Sequence, residues 1–138
     1  MTDFIREGRL FRVVGFDPSH RQLMLQSDAL AVDRTTTRVE VYIGHVELMF
    51  LKPYYRNGLH IRRATAAEFA VLSERHGIPA DDSAYTWMLE PDDGGSFVVG
   101  GNPGWREAEY ELMGDREFLY DWSKPWPPEF PAESGTVD

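Results

Sequence analysis

Glu107, Glu109 and Glu111 alternate with Ala108, Tyr110 and Leu112, the most unusual chemistry-bearing spacing in the chain. On a strand, carboxylates two residues apart stand about 6.5–7 Å from each other on one face, so three in a row repel unless water or a cation relieves them. Three uses are open to such a row: a solvated face, a surface for a basic protein, or a metal or acid/base site. The four histidines, His20, His45, His60 and His76, show no H-x-H or H-E-x-x-H pairing. His20 and His45 fall at expected turns and His76 at an expected helix C-terminus, where a cation complements the dipole. A set assembled by folding, such as His60 with Glu47 and Tyr42, is a further candidate. Asp81-Asp82 and Asp92-Asp93 lack the alternating spacing of a calcium loop and read as turns. No G-x-x-x-x-G-K-[ST] loop or G-x-S-x-G elbow occurs, and Gly100-Gly101-Asn102-Pro103-Gly104 reads as a turn. The expectation is therefore no catalytic residue, no cofactor and no metal.

Charge bounds the partners. Residues 1–63 carry ten Arg and Lys against seven Asp and Glu, whereas residues 64–138 carry four against sixteen. A net charge of −9 argues against a phosphate-binding nucleic-acid protein, since that affinity comes from clustered bases. The split predicts instead a dipolar surface that steers a basic partner toward the acidic half. With no cysteine, disulfides, thiolate zinc sites and thiol catalysis are excluded. The opening residues lack a signal-peptide pattern and no stretch reaches the ~18 apolar residues of a membrane span. The expected location is the cytoplasm.

The elements that must position these residues read as α+β: a mainly antiparallel sheet of about seven to nine strands in hairpins, with one short helix. Arg9–Asp17 and Arg21–Ser27 form a hairpin about Asp17-Pro18-Ser19-His20, with Leu23 and Leu25 on one face. From Thr36 to Leu51 the alternation slips phase at Gly44-His45, which suits a two-residue hairpin loop or a bulge in one bent strand, the hairpin being preferred. Leu59–Arg63 is a short strand. Thr65-Ala66-Ala67-Glu68 has capping-box spacing and Gly77 with Pro79 ends the helix, so it spans about 65–76. Tyr85, Trp87 and Leu89 alternate as a strand, and Asp92-Asp93-Gly94-Gly95 turns the chain into another at Ser96–Gly100. Trp105–Met113 fits a strand, with the glutamates outward, or a helix capped by Asn102; the strand is preferred because Gly104 weakens a helix start. Residues 1–121 make one β-rich domain. Residues 122–138 form an extended Pro/Trp-rich tail, its last seven residues disordered. Within it Pro125-Trp126-Pro127-Pro128 is formally a PxxP segment; its aromatic residues either cover this protein's own sheet or form an arm that docks on a partner.

The segments Thr37-Arg38-Val39-Glu40-Val41-Tyr42-Ile43-Gly44-His45-Val46-Glu47-Leu48 and Ser96-Phe97-Val98-Val99-Gly100-Gly101 are similar to strand pairs of β-rich proteins grouped with bacterial immunity families. Over about half its length the chain thus resembles the immunity proteins of polymorphic toxin systems, small cytoplasmic proteins that cap a toxin domain, often a basic nuclease. The resemblance implies a non-catalytic inhibitor acting by steric and electrostatic complementarity. Glu107, Glu109, Glu111, Asp115 and Glu117 would then face Arg and Lys of the toxin, with Trp105 or Trp126 as the central anchor. The competing expectation is a small-molecule-binding or catalytic domain with a pocket between the helix and the sheet. A homo-oligomeric structural protein is a third.

Overall fold

The computed structural model describes residues 2–91, 95–109 and 132–138. Among them run β1 (Phe4–Glu7), β2 (Phe11–Asp17), β3 (Gln22–Ser27), β4 (Thr37–Ile43), β5 (Leu48–Phe50), β6 (Tyr54–Tyr55) and β7 (Gly58–Arg63). Then follow α1 (Ala66–His76), β8 (Thr86–Met88), β9 (Phe97–Val99), β10 (Gly104–Glu109) and β11 (Ala132–Thr136). The fold is α+β and mainly antiparallel, with eleven strands among the described residues where seven to nine were expected. One sheet has the order β1-β7-β8-β9-β5, the other β11-β10-β4-β3-β2-β6. Asp92, Asp93 and Gly94 lie outside the described residues, although β8 and β9 on either side pair antiparallel as a hairpin requires. Glu111, Asp115, Glu117, Trp126 and the PxxP segment also lie outside them.

The two sheets face each other across the main core. Leu23, Leu25, Val39, Val41 and Ile43 of the six-stranded sheet join Phe4, Leu59, Ile61, Trp87 and Val98 of the five-stranded one in a single buried cluster. Leu23 and Leu25 are fully buried, as the β2–β3 hairpin pattern implied. The outer face of the five-stranded sheet is covered by α1, where Leu72 and Phe69, with Ile78 just beyond, pack on Met88, Phe97 and Val99. Strands β8 and β9 are consequently buried on both faces, so Thr86 and Met88 are as buried as Trp87. The packed Leu72–Phe97 layer lies between the helix and the sheet, the region where the competing reading places a pocket.

The helix starts as its capping box dictates. Thr65 Oγ1 accepts from the Glu68 N–H at 3.2 Å and Glu68 Oε1 accepts from the Thr65 N–H at 2.9 Å. Gly77 closes the helix in the left-handed conformation at φ 69°. Arg62 on β7 grips the same carboxylate with two bonds, Nη1 to Oε1 at 2.7 Å and Nη2 to Oε2 at 2.8 Å. That charged hydrogen bonding, helped by the Thr65 donors and opposed by partial burial, holds the Glu68 pKa down at about 2. A depressed acid contributes stability that is complete above its unfolded pKa and is lost as pH falls through the folded one. Between about pH 4.5 and pH 2 the protein should therefore lose about 1–2 kcal/mol from this group, after allowing for solvent screening. Urea unfolding at pH 5 and pH 2 checks this: Glu68→Gln should be less stable at pH 5 and should lose less on acidification.

Two sequence expectations are corrected. Gly44-His45 is not a hairpin loop, because β4 belongs to the six-stranded sheet and β5 pairs with β9 in the other. The phase slip marks the chain turning a corner from one sheet to the other: Val46 stays in the core at 5 % exposure, while β5 presents Phe50 beside Phe97. The last seven residues are ordered, not disordered. Ala132–Thr136 pairs with β10, and Val137 is buried, its N–H donating to Pro103 O at 2.8 Å and its carbonyl accepting from Asn102 Nδ2 at 2.9 Å.

Candidate partner-binding surface

Strand β10 is the strand preferred for Trp105–Met113 as far as it is described, but its parity differs from expectation. Trp105 pairs with Val41 and Glu107 with Val39, so both side chains stand on the face that carries the core. Trp105 lies over Gly135 of β11, where a Cβ would sit 2.7 Å from its Nε1, and its ring is 5.7 Å from that of Phe4. The Arg6 guanidinium sits 4.8 Å from the Trp105 ring centre. Trp105 is thus an internal packing residue at the sandwich edge, not a free anchor.

Glu107 follows it inward. Its Oε1 accepts from Arg6 Nε at 3.1 Å, its Oε2 accepts from Thr37 Oγ1 at 2.7 Å, and Arg9 Nη1 lies 3.8 Å away. Arg9 is 5 % exposed and also donates to Ser27 Oγ at 2.6 Å and to Thr37 O at 2.6 Å. Burial lowers the Arg9 pKa, and the Glu107 charge opposes that shift. The expected outward row is therefore broken at Glu107, which serves as counter-ion to two arginines.

The rest of the acidic feature lies around it. Glu133 of β11 stands directly across the ladder from Glu107, and Glu109 is the next residue of β10 on the same face. Both are exposed, and neither has an ion pair among the described residues. Like charges facing each other across a ladder are unfavourable, and among the described residues the negative charge of this edge is neutralised at Glu107 alone. Of the sequence-derived set, the structure brings Glu107, Glu109 and Trp105 onto one strand and adds Glu133, which had been assigned to a disordered end.

The charge split along the chain is less extreme in space. Arg62–Glu68, Lys52–Glu90, and Arg6 and Arg9 with Glu107 all join a base of the first half to an acid of the second. The histidines are dispersed. His60 Nε2 lies 3.0 Å from Asp3 Oδ2, Glu47 accepts from Arg21, and Tyr42 lies on Gly104 with Arg106 5.5 Å from its ring centre, so the candidate set His60, Glu47 and Tyr42 is not assembled. His76 packs at the end of α1 beside Phe50 and Phe97. Among the described residues no group of three or more His, Asp or Glu could hold a metal ion, and no helix is long and apolar enough to cross a membrane.

Two open clefts are bordered by described residues. One of about 630 Å³ is bordered by Lys52, Tyr54, Arg56, His60 and Glu90. The other, about 930 Å³, is bordered by Ser19, His20, Arg21, Tyr42, His45 and Asn102. The second was not foreseen; its only signals were the turn residues at 17–20 and the phase slip at Gly44-His45, each explained separately as a turn. Comparison with protein families, with curated proteins and with solved structures finds no match to this chain.

Proposed function

We propose that the protein is a non-catalytic binding module that caps a basic protein partner by steric and electrostatic complementarity, as an immunity protein caps a toxin domain. The observation that carries this reading is the pair of exposed carboxylates, Glu109 and Glu133, flanking an already committed Glu107 on paired strands at the edge of a sheet. Arg or Lys from a partner would relieve that repulsion and gain charge-assisted hydrogen bonds. The chain continues acidic through Glu111, Asp115 and Glu117, which the proposal includes in the same contact surface.

The test begins with capture from native lysate at low and high salt, which should yield one stoichiometric basic protein released by salt. With that partner in hand, Glu109→Lys combined with Glu133→Lys should cut the association rate by about 10- to 100-fold at low salt and flatten its salt dependence. Association kinetics unchanged in both respects would place the contact elsewhere.

A further inference from the structure

The 930 Å³ cleft is built from three separated segments: the β2–β3 turn, the end of β4, and the connection between β9 and β10. They are tied together through the backbone. The Val46 N–H donates to Arg21 O at 2.9 Å, and the Gly101 N–H donates to Gly44 O at 2.8 Å. Gly100 is packed so closely that a Cβ there would lie 3.0 Å from Gly44 O. The floor is therefore pre-formed and rigid, which lowers the ordering cost of a ligand.

Its rim carries an unusual choice of residues. Three non-glycine residues among those described have positive φ, and two of them, Arg21 at 50° and His45 at 53°, border this one cleft. Histidine is among the residue types that tolerate this region, whereas glycine or asparagine would hold the Arg21 turn with less strain, so the guanidinium sits there against the local backbone preference. Two acids beside these residues in the chain or bonded to them are engaged: Asp17 accepts from the Ser19 N–H and hydroxyl at 2.9 and 2.8 Å, and Glu47 accepts from Arg21 Nη1 at 2.6 Å. No carboxylate borders the cleft among the described residues, in a chain with 23 acids. The lining supplies a set of donors: the remaining Arg21 N–H groups, the rings of His20 and His45, and the Gln22 amide.

We infer that this cleft binds a small molecule bearing a terminal phosphate, held by Arg21, His20 and His45 with the Tyr42 ring as a side wall. A phosphate matches such an array because it offers several acceptor oxygens to donors arriving from different strands. This site is independent of the acidic edge, so it can stand or fall without the partner-binding proposal.

The experiment is an NMR titration of the isotope-labelled full chain with phenyl phosphate, following the His20 and His45 ring signals and the Gly101 amide. The expected result is saturable shifts at these three positions, weakened at least tenfold in Arg21→Asn and, read at His20 and Gly101, in His45→Asn. Asparagine tolerates positive φ, so both variants should fold with an unchanged or raised melting temperature. Absence of saturable shifts in the parent, or affinity in both variants unchanged from that of the parent, would overturn the assignment.

Discussion

Replacing Gly58 with alanine is expected to cost about 4 kcal/mol, a large fraction of the ~5–15 kcal/mol that holds an ordinary domain together. Gly58 opens β7 at φ 110°, a conformation that side chains rarely adopt. A Cβ placed there would fall 1.9 Å from Arg6 O, with Arg6 C and Glu7 Cα at 2.8 Å. These are backbone atoms and cannot rotate away, so β1 would have to leave β7, with which Gly58 pairs at Glu7. Phe4, buried at 1 % exposure, would leave the core with it, and Arg6 would lose Glu107. Gly8→Ala is the comparison. Gly8 also has positive φ, at 72°, but nothing lies within 4 Å of its added Cβ, so that variant should lose only about 1 kcal/mol. Urea unfolding of both separates backbone strain from collision; equal losses would show that the close approach to Arg6 is not what makes residue 58 glycine.

Local chemistry made much of the fold legible. The Thr65–Glu68 capping box and Gly77 bounded α1, and the alternation around Leu23 and Leu25 predicted β3 and its hairpin with β2. What was not legible depends on what lies across a sheet. The phase slip at Gly44-His45 is the same in a hairpin and at a corner between sheets; only the pairing of β5 with β9 separates the two. The closing strand was missed because Ala132–Thr136 is small and polar, and its one strong apolar signal, Val137, lies just beyond it. Burial of Val137 and pairing with β10 together outweigh the weak strand propensity of that segment.

The charge pattern shows the same limitation. A run of bases followed by a run of acids predicts a dipole only if each run stays on its own side. Here β8 and β9 of the acidic half lie between β7 and β5 of the other, so ion pairs cross between halves. Among the described residues, Glu109 and Glu133 keep acidic character where the chain ends a sheet, on β10 and β11. The parity of Glu107 follows from Trp105. Residues two apart on a strand share a face, so the aromatic ring that packs on Phe4 carries the glutamate inward with it.

That inward turn leads to the second large effect. Glu107→Gln keeps the shape and the acceptor for Thr37 but removes the negative charge beside Arg9 and Arg6, and should cost about 2–3 kcal/mol. The loss comes less from the missing attraction than from leaving Arg9, at 5 % exposure, without its nearest counter-ion in a site that already penalises charge. Glu109→Gln, on an exposed carboxylate without an ion pair among the described residues, should stay within about 0.5 kcal/mol of the parent. Adding Arg9→Met to Glu107→Gln should recover part of the loss, because the uncompensated buried charge is then gone; a double-mutant cycle from urea unfolding measures that coupling. Two neighbouring glutamates of the same row are thereby assigned opposite duties. If Glu107→Gln left stability intact, the carboxylate would not be the required counter-ion of Arg9, and Glu107 would rejoin Glu109 as a residue free to meet a partner.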